Sequence, residues 1–237
     1  MIVKKLEILI HSVASGIEPT IGHAYARNNL EELNQKVDLF EYIIFSLVGV
    51  LFSITGMLIT PFVMMYTKGI TDADYHQPLL GALLVLAEAL YLVRYPHVSL
   101  AYSANKFREI TIPAYIEAGI NILVSLVLVK ILGVAGVSVG TVAGMLYRNI
   151  FQVYFTTKLI PNRHQIIFYK KFLITIAMSF IGIVFGLFVY PFNDYRIITW
   201  LLHGIVYSGI FIILYIVGSF LFYKKEVGYL RDYLKKR

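Results

Sequence analysis

What most constrains this chain is a succession of apolar stretches of about 20 residues or more, the length at which an α-helix crosses the roughly 30 Å hydrocarbon layer of a bilayer. They run over Phe40–Tyr66, Leu79–Ser103, Ile110–Leu132, Val134–Leu159, Phe172–Tyr190 and Ile197–Tyr223. Within lipid, every backbone amide and carbonyl has to be satisfied internally, so such stretches read as helices. The expected fold is all-α: a polytopic transmembrane helix bundle with six full spans and a partial N-terminal helix. Composition agrees, with 58% hydrophobic and 15% charged residues, against about 25% charged in soluble domains. The connections, such as "ANKFRE", "GVAG" and "PFNDYR", are too short to house a soluble domain. Residues 1–237 therefore read as a single transmembrane domain, and any chemistry belongs inside the bundle or at its rims.

The opening residues, "MIVKKLEILIHSVASGIEPTIGHAYA", have the basic start and Ala-x-Ala end of a secretory signal. However, Glu7, His11, Glu18 and Pro19 interrupt what should be a clean apolar region. A half-buried segment of the bundle is the better reading. With no cysteines, disulfides, thiolate metal sites and cysteine nucleophiles are excluded.

Orientation follows from the distribution of Lys and Arg between alternate connections. Arg27, Lys36, Lys106, Arg108, Lys158, Arg163, Lys170 and Lys171 fall on one side, with Lys224, Lys225, Arg231, Lys235, Lys236 and Arg237 of the tail. The opposite connections hold Lys68, Lys130 and Arg196 beside Asp72, Asp74 and Asp194. The chain is thus expected in the plasma membrane with a cytoplasmic basic tail over 224–237. Its charge of +7 is spread over the ends of apolar runs, which suits anionic membrane lipids and not nucleic acid. In the tail, Tyr229, Leu230, Tyr233 and Leu234 recur at helical spacing, as in a helix lying on the cytoplasmic leaflet. "IPNRHQIIFYKKF" has the same character, and ordinary positive-inside anchoring accounts for both. Lys4 and Lys5 break the pattern, since a spanning first segment would put them on the outer side.

Ionisable groups inside a membrane are costly and turn toward the bundle interior or a water-filled cavity. "LLVLAEALYLVRYPHVSLAY" carries Glu88, Arg94 and His97. Glu88 and Arg94 point about 120° apart around a helix, so each needs a partner on another helix, or water. His97 sits near the cytoplasmic end of its span and reads as interfacial. Glu117 and Asn121 share a face at i and i+4. Gly136, Gly140, Gly144, Arg148 and Gln152 follow at steps of four, a double GxxxG ridge suited to close helix packing whose face then turns polar. The charges either fasten helices together or line a hydrophilic path, and the second reading makes Glu88, Arg94, Glu117, Asn121, Arg148 and Gln152 candidates for a substrate cavity. No hydrolase or nucleotide-binding motif is present, and His11, His23, His76, His164 and His203 are scattered singly. No catalytic residue, metal site or cofactor is assigned.

The segments "SVASGIEPTIGHAYARNNLEELNQKVDLFEYIIF" and "YIEAGINILVSLVLVKILGVAGVSVGTVAGMLYRN" together resemble the C-terminal half of the bacterial polysaccharide flippases, the Wzx-like exporters of the multidrug/oligosaccharidyl-lipid/polysaccharide superfamily. The resemblance rests on Glu117, Asn121, Gly133, Gly136, Gly140 and Thr141 and on the helix order, and it covers essentially the whole chain. It implies one lobe of a two-lobed, non-enzymatic transporter of the inner membrane. Such a protein flips undecaprenyl-pyrophosphate-linked oligosaccharide by alternating access, in cell-surface polysaccharide biosynthesis. Arg94 and Arg148 would then meet the pyrophosphate, with Glu88 and Glu117 as counter-charges or coupling-ion groups. The chain departs from that pattern in having no N-terminal lobe, so the expectation is a truncated product or one working with a second chain, incompetent for flipping alone. The alternatives are a drug or ion exporter of the same superfamily and a non-transporting membrane scaffold or assembly partner. A membrane enzyme acting on lipid-linked sugars ranks last, because Thr67–Pro78, the longest outer connection, is too short for a catalytic surface.

Overall fold

The computed structural model describes residues 2–192 and 194–235, with side chains placed for residues 3–192 and 194–231. All regular structure among them is helical: α1 (Ile2–Ser15), α2 (Glu18–Ala26), α3 (Leu30–Tyr66), α4 (Pro78–Val93), α5 (Tyr95–Ser103), α6 (Phe107–Leu132), α7 (Val134–Thr157), α8 (Ile166–Val189), α9 (Ile197–Phe222) and α10 (Lys224–Lys235). The partial N-terminal helix is in fact two helices, α1 and α2, with Pro19 in the first turn of the second.

Local sequence explains where the helices stop. Asn28, Asn105 and Asn162 have φ of 53°, 56° and 61°, the left-handed conformation that asparagine tolerates better than most residues. Each lies just beyond a helix on the side assigned to the cytoplasm. At the start of α3, Asn29 Oδ1 accepts the Glu32 amide at 3.2 Å while its Nδ2 donates to the Glu32 carboxylate at 3.1 Å. The α6–α7 turn rests on Gly133, whose φ of 57° and ψ of −137° suit no other residue.

α3 is the central element, running for 37 residues or about 55 Å at 1.5 Å per residue, well beyond the bilayer core. The helices α1, α2, α4, α5, α8, α9 and α10 all pack on it. Its buried residues Leu33, Val37, Phe40, Ile44, Val48 and Phe52 recur every three or four positions, the stripe expected of a helix packed along one face. Large apolar side chains point outward elsewhere, among them Leu123 on α6, Phe188 on α8 and Ile205 on α9, at 67%, 86% and 71% exposure. In water such a surface would be an association patch; here it faces lipid.

Among the described residues, five helical stretches are long and apolar enough to cross a membrane: α3, the continuous α4–α5 stretch, α6, α8 and α9. The expected six spans are corrected to that extent, because α7 falls outside this set. Its polar residues dilute its hydropathy, yet it lies antiparallel along nearly all of α6. A methyl group at Gly136, Gly140 or Gly144 would press on the backbone of Leu128, Asn121 and Glu117 in turn, and Arg148 reaches the Ile110 carbonyl.

The two segments read as simple surface anchors are also corrected. Tyr229 and Leu230 of α10 pack with Leu39, Tyr42 and Tyr223 of the bundle, so this side of the tail helix meets protein; the side chains of Tyr233 and Leu234 lie outside the described residues. In "IPNRHQIIFYKKF", Arg163 and Lys171 are buried at 6% and 4% exposure. They are tied into the ionic cluster described below.

Candidate functional site

Arg94 occupies the break between α4 and α5, where Pro96 starts a new helix and the His97 and Val98 amides both turn to the Arg94 carbonyl. Its guanidinium carbon lies 4.9 Å from the centre of the Tyr91 ring. Arg148 comes from α7, with Nη2 donating to the Ile110 carbonyl at 2.6 Å and Nη1 3.9 Å from Glu117 Oε2. Both arginines are buried, at 8% and 7% exposure. Arg94 Nε and Arg148 Nε and Nη1 have no hydrogen-bond partner. Glu117 is the carboxylate whose charge acts on both guanidiniums, and the two arginines also repel each other. Two cations thus lie in the field of one acid and keep spare planar donors, groups of the kind that can hydrogen-bond anions with several oxygens.

The other proposed cavity residues divide. Glu88 lies apart from the arginines and meets α1, where Lys4 Nζ is 3.3 Å from Glu88 and 2.9 Å from Glu7. Lys4, whose side chain is largely exposed, is therefore paired with two acids of α1 and α4. Asn121 accepts from Ser125 Oγ at 3.1 Å within α6 and lies against the α7 glycines. Gln152 is fully buried, and its Nε2 donates to the His97 carbonyl at 3.2 Å, which fastens α7 to α5, while its Oε1 has no hydrogen-bond partner. Asn149, one turn earlier, does the same toward α4, donating to the Leu90 carbonyl at 2.8 Å. On another face of α4, a groove of about 530 Å³ opens between α3, α4 and α8, lined almost wholly by apolar groups such as Phe52, Ala89 and Ile183.

A second polar centre, unforeseen from the sequence, lies in the first third of α3. Glu41 is fully buried; its Oε1 is 2.6 Å from Arg163 Nη2 and its Oε2 is 2.8 Å from Lys171 Nζ. Asp38 bridges the same two cations, at 3.1 Å from Arg163 and 2.9 Å from Lys171. Arg163 Nη1 donates to Asn34, and Glu226 of α10 approaches Lys171 at 3.5 Å. Burial of Arg163, in the α7–α8 connection, opposes its charge, but Glu41 and Asp38 outweigh burial and raise its pKa. His97 completes the group. Rather than lying at the interface, it is wholly enclosed, with Nε2 3.1 Å from Glu41 Oε1 and Nδ1 2.6 Å from Thr156 Oγ1. The available signal was the spacing of Asn34, Asp38 and Glu41, at i, i+4 and i+7 on one helix face.

No family model and no solved structure matches this chain. It is similar to the uncharacterized membrane protein MJ1068 of Methanocaldococcus jannaschii, 30% identical over 99 residues, a stretch that makes up 42% of this chain and 19% of that protein. The chain is a polytopic α-helical membrane protein.

Proposed function

We propose that this chain forms one wall of a transporter that moves lipid-linked, diphosphate-bearing oligosaccharide across the plasma membrane, as the undecaprenyl-pyrophosphate-linked units of surface polysaccharide require. A second lobe or second chain completes the cavity. The observation carrying this reading is the pair Arg94 and Arg148, both buried, both in the field of Glu117 and both retaining unpartnered N–H donors. A diphosphate offers the charge and the oxygens that such a pair lacks. Glu117 keeps the site paired when it is empty, and the apolar groove beside α4 is suited to hydrocarbon.

The test is export by the complete transporter carrying Arg94→Gln or Arg148→Gln, with membrane abundance measured in parallel. Export falls at least about tenfold, equivalent to roughly 1.4 kcal/mol, at unchanged abundance. Normal export in either variant overturns the assignment.

A scaffold reading draws support from one observation, the 2.6 Å bond from Arg148 to the Ile110 carbonyl, which by itself suffices to pin α7 on α6. It requires that replacing Arg148 and Glu117 together by Met and Leu leave the protein's cellular role intact. The transport reading requires that this double variant be inactive though folded.

A further inference from the structure

The side chain of His97 has a determinate hydrogen-bonding problem. Its Nδ1 is 2.6 Å from Thr156 Oγ1, and that hydroxyl is also 2.7 Å from the Gln152 carbonyl, four residues back on α7. A threonine hydroxyl has one hydrogen to give. If it goes to the carbonyl, Thr156 Oγ1 becomes an acceptor and Nδ1 must carry a proton. The opposite nitrogen, Nε2, lies 3.1 Å from the Glu41 carboxylate but off the line of a hydrogen bond; a hydrogen there is favoured by the carboxylate charge, and with both nitrogens protonated the ring is an imidazolium. If the hydroxyl instead turns to Nδ1, the ring is neutral, with its hydrogen on Nε2, the side on which Glu41 lies. The same heavy-atom positions serve both states.

We propose that His97, held between Glu41 and Thr156, is a buried proton-binding site whose occupancy sets the charge of the ionic cluster on α3. Binding adds one proton at Nδ1, taken from water, and rotates the Thr156 hydroxyl from Nδ1 to the Gln152 carbonyl. No other bond forms or breaks.

The count of charges around the site leaves room for one more cation. Asp38 and Glu41 of α3 and Glu226 of α10 supply three carboxylates, against the two fixed cations Arg163 and Lys171. Protonated His97 is the third cation and brings the group to neutrality. The remaining neighbours do not compete for it. Glu18 of α2 is engaged by the Tyr95 hydroxyl at 3.2 Å, His23 is exposed, and Arg94 and Arg148 act with Glu117. From α6, Lys106 and Glu109 pair with each other at 3.0 Å. The Phe168 ring stands edge-on to the imidazole at 5.0 Å and closes it off. Asp38 and Glu226, with side chains 11% and 13% exposed, connect the cluster to water. A proton here ties α5 and α7 to α3, so occupancy is linked to how the cytoplasmic ends of four helices and the tail pack. The inference does not rest on the transport reading.

The experiment is ¹⁵N magnetic resonance of histidine-labelled protein reconstituted in lipid, with the His97 signals identified by their loss in His97→Gln. On acidification from about pH 8 to 5, the range in which imidazole normally titrates, Nδ1 passes from unprotonated to protonated while Nε2 stays protonated. Thr156→Val removes the Nδ1 partner with little change of volume and lowers the midpoint by about one unit, and Glu41→Gln lowers it further. Should Glu41→Gln not fold, Thr156→Val carries the test alone. A His97 ring that stays neutral until the bundle unfolds, or a midpoint unmoved in Thr156→Val, overturns the proposal.

Discussion

Each oxygen of the Glu41 carboxylate is already occupied, Oε1 by Arg163 and Oε2 by Lys171, in a place with no access to solvent. Removing charges from water costs several kcal/mol per ion, and such a group persists because every member is compensated by another. Breaking it on one side is therefore much worse than never building it. Lys171→Met should destabilise the protein by about 3–5 kcal/mol, read as a lowered unfolding midpoint in detergent, since Asp38 and Glu41 would keep Arg163 alone. Lys106→Ala, which removes an exposed partner of Glu109, should leave the midpoint where it was, because exposed pairs contribute little. Equal effects from the two substitutions would show that burial is not what gives the cluster its weight.

At the level of elements, the α6–α7 hairpin depends on three glycines that let two backbones touch. A side chain at Gly140 would meet the Asn121 carbonyl at 2.7 Å. Gly140→Leu is expected to cost at least about 1–3 kcal/mol, the range for overpacking, and to loosen α7 so that its amides exchange hydrogen faster. Gly119, on α6 with nothing within 4 Å of an added Cβ, provides the contrast, and Gly119→Leu should be tolerated. This hairpin and the helical stretches around it were legible in the sequence because apolar length and a four-residue glycine period are local signals. The start of α3 was not, since Glu31, Glu32, Lys36 and Asp38 end the apolar run while the helix continues through them. Nor was the ionic cluster. Arg163 and Asp38 are 125 positions apart, and only the packing of α8 and the α7–α8 connection on α3 brings them together. The sequence likewise places Glu88 and Arg94 on one helix, but Glu88 meets Lys4 of α1 and Arg94 sits at the α4–α5 break against Tyr91, placements that no spacing rule supplies.

For the whole molecule, the open matter is the number of crossings, and it turns on α7. Hydropathy alone leaves this helix out, because Asn149, Arg148 and Gln152 fall within it. One donor of each, however, is spent on the protein: on the Ile110, Leu90 and His97 carbonyls, one on each of three neighbouring elements. A helix whose polar side chains turn inward to protein, as these buried ones do, is not penalised by lipid for carrying them. Since α7 follows α6 antiparallel from Gly133 to Arg148, it crosses if α6 does. The absence of cysteine makes this directly measurable with single-cysteine variants and an impermeant thiol reagent in intact cells. Val134→Cys, at the start of α7 and 66% exposed, should be labelled from outside together with Asp72→Cys. Lys158→Cys and Lys106→Cys should be labelled only after the membrane is opened. Labelling of Val134→Cys and Lys158→Cys from the same side would mean that α7 returns without crossing. It would also reverse the side assigned to α8, α9 and the basic tail, against the distribution of fourteen Lys and Arg residues on one side.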